Sequence, residues 1–525
     1  MNAPVSTEQA KVFAFLENPD THDLSQPVTR IDTHGAVLFL AGRDVYKVKR
    51  AVRFPYMDLS TLEKRHAACE SEISVNRANA PNLYLGVVPI TQDDAALHLG
   101  GEGRVVEWAI HLRRFDETAT LDRLADKAPL GAELIDKLTH AVLTAHERAP
   151  LRDGVAATHT LRRLLCETVD ELRQAKGLFH DSAVAELGAQ LVDAFDRTKP
   201  LLLRRALRSQ VRRCHGDLHL GNIVLINGEP TLFDALEFDE AIATSDILYD
   251  LAFLLMDLCK RDQRADANRL LNSYLFLSDD ASLQIEGLAA LPTFLSLRAA
   301  IRAKVMATQF DQAPNKVALR DAALAYFYAA KAFLSPVVPI LVVIGGLSGT
   351  GKTSLAAALS PEVGLAPGAL HLRSDTERKR LFGVAQTERL SAESYQDQVS
   401  AKVYANLNEM AAIGLRAGRT VILDATYIRP EDRMAVAAVA TRAGVFFAGF
   451  WLDGPVDLLV RRVVQRIRDA SDATPALVMT QTKAKLGVIT WHRLDAGQPL
   501  EALRRAALNF IPDKATAISA SKPIF

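Results

Sequence analysis

The chain has 525 residues, with 62 Lys plus Arg against 62 Asp plus Glu and a formal net charge of zero. That length exceeds what one hydrophobic core serves, so two or more domains are expected, and the balance excludes a general nucleic-acid or anionic-membrane binder while leaving room for a local basic cleft. Cys69, Cys166, Cys214 and Cys259 are scattered without CxxC spacing, which excludes a spacing-defined zinc site or disulfide framework and fits reduced thiols.

The N-terminal MNAPVSTEQAK lacks a basic segment followed by an apolar one, so no secretory signal is read. The most apolar run, Val337 to Leu347, is too short to span a bilayer. The expectation is a soluble, cytoplasmic protein. Ala36–Ala41 and Val45–Lys49 are β-rich and separated by Gly42-Arg43-Asp44, which predicts a hairpin. A helical stretch over 60–80 follows, then short apolar segments at Tyr84–Ile90 and Val105–Leu112. From about Leu121 to Arg208 the spacing is helical, Val211–Asp234 reads as strand-loop-strand, and long helices are expected from about Ser245 to Leu334. Ser335-Pro336 and Pro339 mark a break, giving expected domains 1–335 and 336–525. Beyond it, apolar strands at Ile340–Ile344, Leu370–Leu372, Thr420–Leu423 and Phe446–Leu452 alternate with helices, the pattern of a parallel α/β sheet.

Gly346-Leu-Ser-Gly-Thr-Gly351-Lys352-Thr353 fits G-x-x-x-x-G-K-[ST], with an apolar strand before it and a good helix after. Backbone N–H groups of Gly346, Ser348, Gly349, Thr350, Gly351 and Ser354 are candidates to wrap the phosphates, helped by the helix dipole. Lys352 reaches for the β/γ-phosphates and Thr353 for Mg²⁺. Asp424 ends an apolar strand, the arrangement that sets an acid near Mg²⁺, although a strand-end Asp is often a turn or cap. Asp375 follows the second strand and is a candidate base for an acceptor hydroxyl, with Arg378 neutralising charge. The plainer reading of Asp375 is a helix N-cap. Arg461 and Arg466, at helical spacing, are candidate lid arginines over the triphosphate; a solvated helix face is the alternative for either one.

These motifs make the segment resemble small P-loop kinases, including gluconate kinase-like, zeta-toxin-like and polynucleotide kinase-like proteins. The resemblance implies that Ser374-Asp375-Thr-Glu-Arg378 contacts or deprotonates the acceptor, and that a lid within Arg461–Arg468 closes on the nucleotide.

The second signal is Cys214-His-Gly-Asp217-Leu-His-Leu-Gly-Asn222-Ile223, followed by Leu232-Phe-Asp234. Asp217 can deprotonate a hydroxyl while Asn222 and Asp234 hold Mg²⁺ on phosphates, and His215 braces the loop. The order resembles aminoglycoside phosphotransferases and choline kinase-like enzymes, which share the protein-kinase fold. Leu220 replaces their usual proline, and Asp234-Ala-Leu-Glu237 is one residue longer than their D-x-E.

That resemblance implies a strand lysine, Lys47, paired with a helix acid, Glu72, with Lys49 and Glu70 as the alternatives. It also implies that the turn at Thr33-His34-Gly35 covers the phosphates in place of a GxGxxG loop, and that Glu107-Trp108-Ala109 forms the adenine hinge. Asp250 would support the catalytic loop. The whole chain resembles a bacterial two-part family joining an aminoglycoside phosphotransferase-like, kinase-fold α+β domain to a P-loop domain. An enzyme with two ATP·Mg²⁺ sites and small-molecule hydroxyl acceptors is the first reading. A nucleotide sensor with a pseudokinase half is the second, and an assembly-type ATPase the third. There is no membrane signal and no strong nucleic-acid signal, and neither acceptor nor oligomeric state is fixed.

Overall fold

The computed structural model describes residues 7–54, 57–93, 96–175, 177–310, 316–465 and 471–512. By contact the chain divides into two units, neither continuous in sequence. One comprises Met1–Gly188, Leu202–Arg261 and Ala300–Tyr326; the other comprises Ala189–Leu201, Asp262–Ala299 and Phe327–Phe525. The sequence reading drew a single boundary near 336. The contact division instead gives the helices of 262–299 to the second unit.

The first unit is built on a six-stranded antiparallel sheet. Its order is Thr29–Asp32, Ala36–Ala41, Asp44–Lys49, Arg104–Arg113, Tyr84–Gln92, Leu97–Leu99. The expected hairpin is present, closed by a two-residue turn in which Ala41 pairs with Asp44 and Gly42 takes φ 61. A type of turn with positive φ matches the right-handed twist of its strands, which explains glycine there. Thr33–Gly35 links the first two strands, with Thr33 N and Oγ1 donating to Ala36 O.

The helix Leu62–Asn76 is capped by the Thr61 side chain, which accepts from Lys64 N. It packs Cys69 and Ile73 with Tyr84, Ile110 and Val224, fixing it to the sheet. On the other sheet face, Val12, Phe13 and Leu16 of the helix Thr7–Glu17 pack with Val37, Phe39, Val48 and Ala109. Below lie the hairpin Ile223–Ile226/Glu229–Leu232 and the helix Ile247–Lys260. Val211–Arg213 pairs with Thr244–Asp246 rather than with the hairpin. The local pattern shows a strand there but not its distant partner.

In the second unit a five-stranded parallel sheet has the order Leu370–Arg373, Val421–Asp424, Ile340–Gly346, Phe446–Asp453, His492–Asp495. The central strand Ile340–Gly346 is buried throughout, as expected of a parallel strand covered on both faces. Leu355, Ala356 and Leu359 of the helix Lys352–Leu359 pack against Val342, Ile344, Ile422 and Phe450. The fifth strand, His492-Arg-Leu-Asp495, escaped the sequence reading because only Leu494 along it is buried. No described helix is long and apolar enough to cross a membrane.

Candidate active sites

The parallel sheet delivers Gly346 at the end of its central strand, and the chain turns back into the helix at Lys352. The turn needs glycine for two reasons. Gly349 has φ 89, and a Cβ there would lie 2.5 Å from Leu459 O; at Gly346, with φ 139, it would lie 2.6 Å from Leu452 O. L-residues rarely adopt such dihedrals, and no side chain fits that close to a carbonyl. Gly351 takes φ 91 at the helix N-cap.

Within the loop, Thr350 Oγ1 and Lys352 Nζ both donate to Leu347 O, at 2.8 and 3.0 Å. Ser348 N donates to Gln481 Oε1 at 2.8 Å. Ser354 lies one residue beyond Thr353 with an exposed side chain.

Thr353 Oγ1 donates to Asp424 Oδ2 at 2.5 Å. Asp424 ends its strand in register with Ile344 on one side and Arg373 on the other. His371 Nε2 and Arg373 Nε approach the same Oδ2, at 3.7 and 3.8 Å. Burial alone would raise the Asp424 pKa, but the His371 contact and the charges of Arg373 and Lys352 bring it down to about 2. His371 is itself pushed below its ordinary value by burial. Asp424 is therefore an ionised, buried oxygen ligand beside a hydroxyl, a donor set that suits Mg²⁺.

Asp375 sits in the first turn of the helix Ser374–Leu381 and is not its N-cap, which is Arg373 without a side-chain cap bond. Burial and then the Asp424 charge push its carboxyl upward, against Arg373, Lys352 and a hydrogen bond with Ser471. Arg378 follows Asp375 on the same helix. It is buried, donates to Ser394 O at 2.5 Å and Ser400 Oγ at 3.2 Å, and lies 4.6 Å from the Tyr395 ring centre. Arg461 is exposed on the helix Val456–Val464, and Arg466 lies outside the described residues. Among the described residues, the arginine that meets the loop is Arg462, whose Nη1 donates to Thr350 O at 3.4 Å. Sequence reading passed over it because spacing alone does not tell which arginine of a run faces inward.

In the first unit, five separate segments meet. Lys47 Nζ donates to Glu72 Oε1 at 2.8 Å and Asp234 Oδ1 at 3.1 Å. Lys49 Nζ lies 2.5 Å from Glu72 Oε2 and also bonds Glu237. Of the two alternatives, Glu70 instead faces His66 at 3.5 Å on the exposed side of its helix. Lys49 joins the site because residues two apart on a strand share a face. Burial would raise the Glu72 pKa, but Lys47 and then Lys49 hold it at about 2.

The catalytic-loop candidates are tightly braced. Asn222 Nδ2 donates to Asp217 O at 2.9 Å and Oδ2 at 3.1 Å, leaving its amide oxygen for another partner. His215 Nε2 donates to Phe233 O at 2.9 Å, and burial lowers its pKa, so the ring is neutral. Asp250 accepts from His215 N and Gly216 N at 3.2 and 2.9 Å. Asp257, two turns further along the same helix, accepts from Leu220 N at 3.1 Å. Asp234 takes φ 58 and its N–H donates to Tyr84 Oη, while Ala235 N donates to Asn76 Oδ1 at 2.7 Å. A non-glycine residue held in that region is a strained position of the kind found at functional sites. Asp257, Tyr84 and Asn76 carried no sequence motif, although the seven-residue step from Asp250 to Asp257 on one helix was readable.

The expected hinge residues Glu107–Ala109 are strand residues. These residues lie inside the strand Arg104–Arg113, with Glu107 opposite Ile90 and Ala109 opposite both Val48 and Val88. Ala109 is thus flanked by a strand on either side, while Glu107 and Trp108 pair with Tyr84–Gln92 alone. The Glu107 carboxylate is buried against Arg65 and Gln9.

Residues 88–285 match the model described as Phosphotransferase enzyme family, and residues 341–486 match that described as AAA domain. An uncharacterized protein of Mycobacterium tuberculosis is 28% identical over 482 residues, covering 90% of this chain and 92% of that one; one from Mycobacterium bovis is equally similar. Among solved structures, a choline/ethanolamine kinase family protein from Mesorhizobium loti is 14% identical with a TM-score of 0.37, covering 63% of this chain and 95% of its own. A gluconokinase from Sinorhizobium meliloti is 21% identical with a TM-score of 0.25, covering 35% of this chain and 99% of its own. The two matched families together indicate ATP-dependent phosphoryl transfer. The chain is a fusion of a phosphotransferase-family, kinase-like segment with a P-loop α/β segment of the AAA-domain family.

Proposed function

We propose that the protein is an ATP-dependent phosphotransferase with two ATP·Mg²⁺ sites, each moving a γ-phosphoryl group to a small-molecule hydroxyl. The observation that carries this reading is the Thr353–Asp424 contact beside the P-loop, with Asp375 near enough for Asp424, Arg373 and Lys352 all to act on its carboxyl. A phosphate ligand, a hard-metal donor pair and a proton acceptor thus converge in one crevice.

In the P-loop site, the loop N–H groups and Lys352 bind the β- and γ-phosphates, and Thr353 and Asp424 are the Mg²⁺ ligands. Asp375 takes the proton of the acceptor hydroxyl as its oxygen bonds to the γ-phosphorus and the bond to the β-phosphate oxygen breaks. In the N-terminal site Asp217 is the base, Lys47 faces the phosphates from its pair with Glu72, and Asn222 and Asp234 are the metal ligands. Bound Mg²⁺ supplies charge neutralisation on the phosphates in both sites. Arg462 joins Arg461 and Arg466 as a candidate lid-side cation, and Arg378 organises the 394–400 segment beside Asp375.

The test is ADP release from ATP·Mg²⁺ across sugars, amino alcohols, nucleosides and aminoglycosides, using the intact chain, Lys352→Ala and Asp217→Ala. An acceptor response abolished by only one substitution assigns that acceptor to one unit. Absence of any acceptor response above background hydrolysis in the intact chain sinks the proposal.

A further inference from the structure

The strand Leu370–Arg373 is the edge of the parallel sheet, and it carries His371 and Arg373, which approach Asp424, and leads into Asp375. On its inner side Leu370 N donates to Thr420 O at 2.9 Å. Its outer side presents Ala369 C=O and His371 N–H, the two groups that a further parallel strand would pair with through a single residue opposite Leu370.

No strand lies there among the described residues. Instead, one side-chain amide makes both bonds. His371 N donates to Asn272 Oδ1 at 2.8 Å, and Asn272 Nδ2 donates to Ala369 O at 3.2 Å. Asn268, one helical turn earlier and buried, donates to the same carbonyl at 3.0 Å. Arg264 of the same helix holds the approach to the strand, donating to Gly364 O at 2.8 Å and Pro367 O at 3.3 Å. The helix concerned, Arg264–Leu277, falls inside the segment matching the phosphotransferase family, yet it belongs by contact to the P-loop unit.

We propose that Asn272 is a positioning residue of the P-loop reaction: its amide stands in for the absent neighbouring strand and sets where His371, Arg373 and Asp375 lie relative to Asp424. An edge strand with one face of its backbone unpaired slides and frays, and a half-buried amide in register removes that freedom. The P-loop itself lies on the central strand, separated from this edge by Val421–Asp424. Loss of Asn272 therefore disturbs the acid-bearing side of the crevice and spares the phosphate-binding side. This assignment rests on the P-loop site being a site of phosphoryl transfer, and the experiment separates the two.

The experiment uses the full chain carrying Asp217→Ala, so that ADP release reports the P-loop site, with Lys352→Ala as its zero level. Asn272→Leu and Asn272→Asp are compared by three readouts: amide hydrogen exchange, affinity for a fluorescent non-hydrolysable ATP analogue with Mg²⁺, and ADP release. In Asn272→Leu, exchange rises over 368–376 and not over 340–346, nucleotide affinity is retained, and turnover falls by about 100-fold, the loss that a displacement of about 1 Å produces. Asn272→Asp keeps the acceptor for His371 N–H, leaves Asn268 on Ala369 O, and recovers most of the turnover. Unchanged exchange over 368–376, raised exchange with parent turnover, or joint loss of nucleotide binding and turnover each overturns the proposal. If Lys352→Ala leaves ADP release unaltered, the phosphotransfer reading fails on its own, and the exchange result still decides whether Asn272 fixes the strand.

Discussion

In the N-terminal unit the acids are held by ions and by other acids. Glu72 is clasped by two lysines, and the loop carrying Asp217 hangs from the carboxylates of Asp250 and Asp257. In the P-loop unit the backbone does that work. Three glycines with positive φ shape the loop, and Asp424 reaches Thr353 through one hydrogen bond at the ends of adjacent elements. The first arrangement depends on residues as far apart as Lys49 and Glu237, the second mostly on one strand-turn-helix. The comparison teaches that the first site is a matter of stability as much as of chemistry, because removing one partner strands a buried charge. In the second, the loop geometry rests on positions where a Cβ would meet a backbone carbonyl.

The sharpest way to break this contrast is to remove one functional group from each site. Lys352→Ala and Asp217→Ala should each lower the turnover of their own acceptor by about 10³-fold. Each should leave the other acceptor's turnover intact in the ADP-release assay. Equal loss of both acceptor reactions in either variant would make the two sites one functional system.

A second test concerns stability. Lys49→Met leaves Glu72 with one cation and breaks the Glu237 ion pair, and should destabilise its unit by about 3 kcal/mol in urea unfolding. The Lys49 side chain is 4% exposed, so solvent does little to replace it. Because Glu72 is held at about 2 against an ordinary 4.5, its pairing stabilises the fold above the ordinary value. That contribution is lost as pH falls toward about 2. Lys49→Met should therefore also raise the pH of acid unfolding, followed by circular dichroism. Loss of Thr353 Oγ in Thr353→Val, by contrast, should cost the P-loop unit only about 1 kcal/mol.

The pH profile sharpens the comparison at the level of the bases. Asp375 is pushed upward by burial and by Asp424, so it loses its ability to take a proton at a pH above the ordinary carboxylate range. The acid limb of P-loop turnover should lie correspondingly high, and Arg373→Met should move it higher still by removing a cation that opposes the shift. A limb that Arg373→Met leaves in place would show that Asp375 does not set it.

The smallest effect is expected at the lid. Arg462→Ala should lower P-loop turnover by about tenfold, and Arg461→Ala by less, since of these two it is Arg462 that donates to the loop among the described residues. The reverse order in single-turnover rates would restore Arg461 as the inward-facing cation.

The sequence by itself determined the P-loop, the parallel sheet that carries it, the hairpin with Lys47 and the Asp217–Asn222 loop. In each, the deciding interactions lie within a few residues: a turn that only glycine accommodates, apolar runs buried on both faces, a loop whose Asn bonds its own Asp. Tertiary structure alone decided the rest. It paired Val211–Arg213 with Thr244–Asp246 and recruited the mostly polar strand His492–Asp495. It placed Glu107 within a strand and set Arg378 against Ser394 and Tyr395. It also selected Arg462 from its run and set Asn272 against a strand about a hundred residues downstream. A long-range partner leaves no local trace, because an arginine, an asparagine or a short polar strand has the same pattern whether it faces solvent or closes a site.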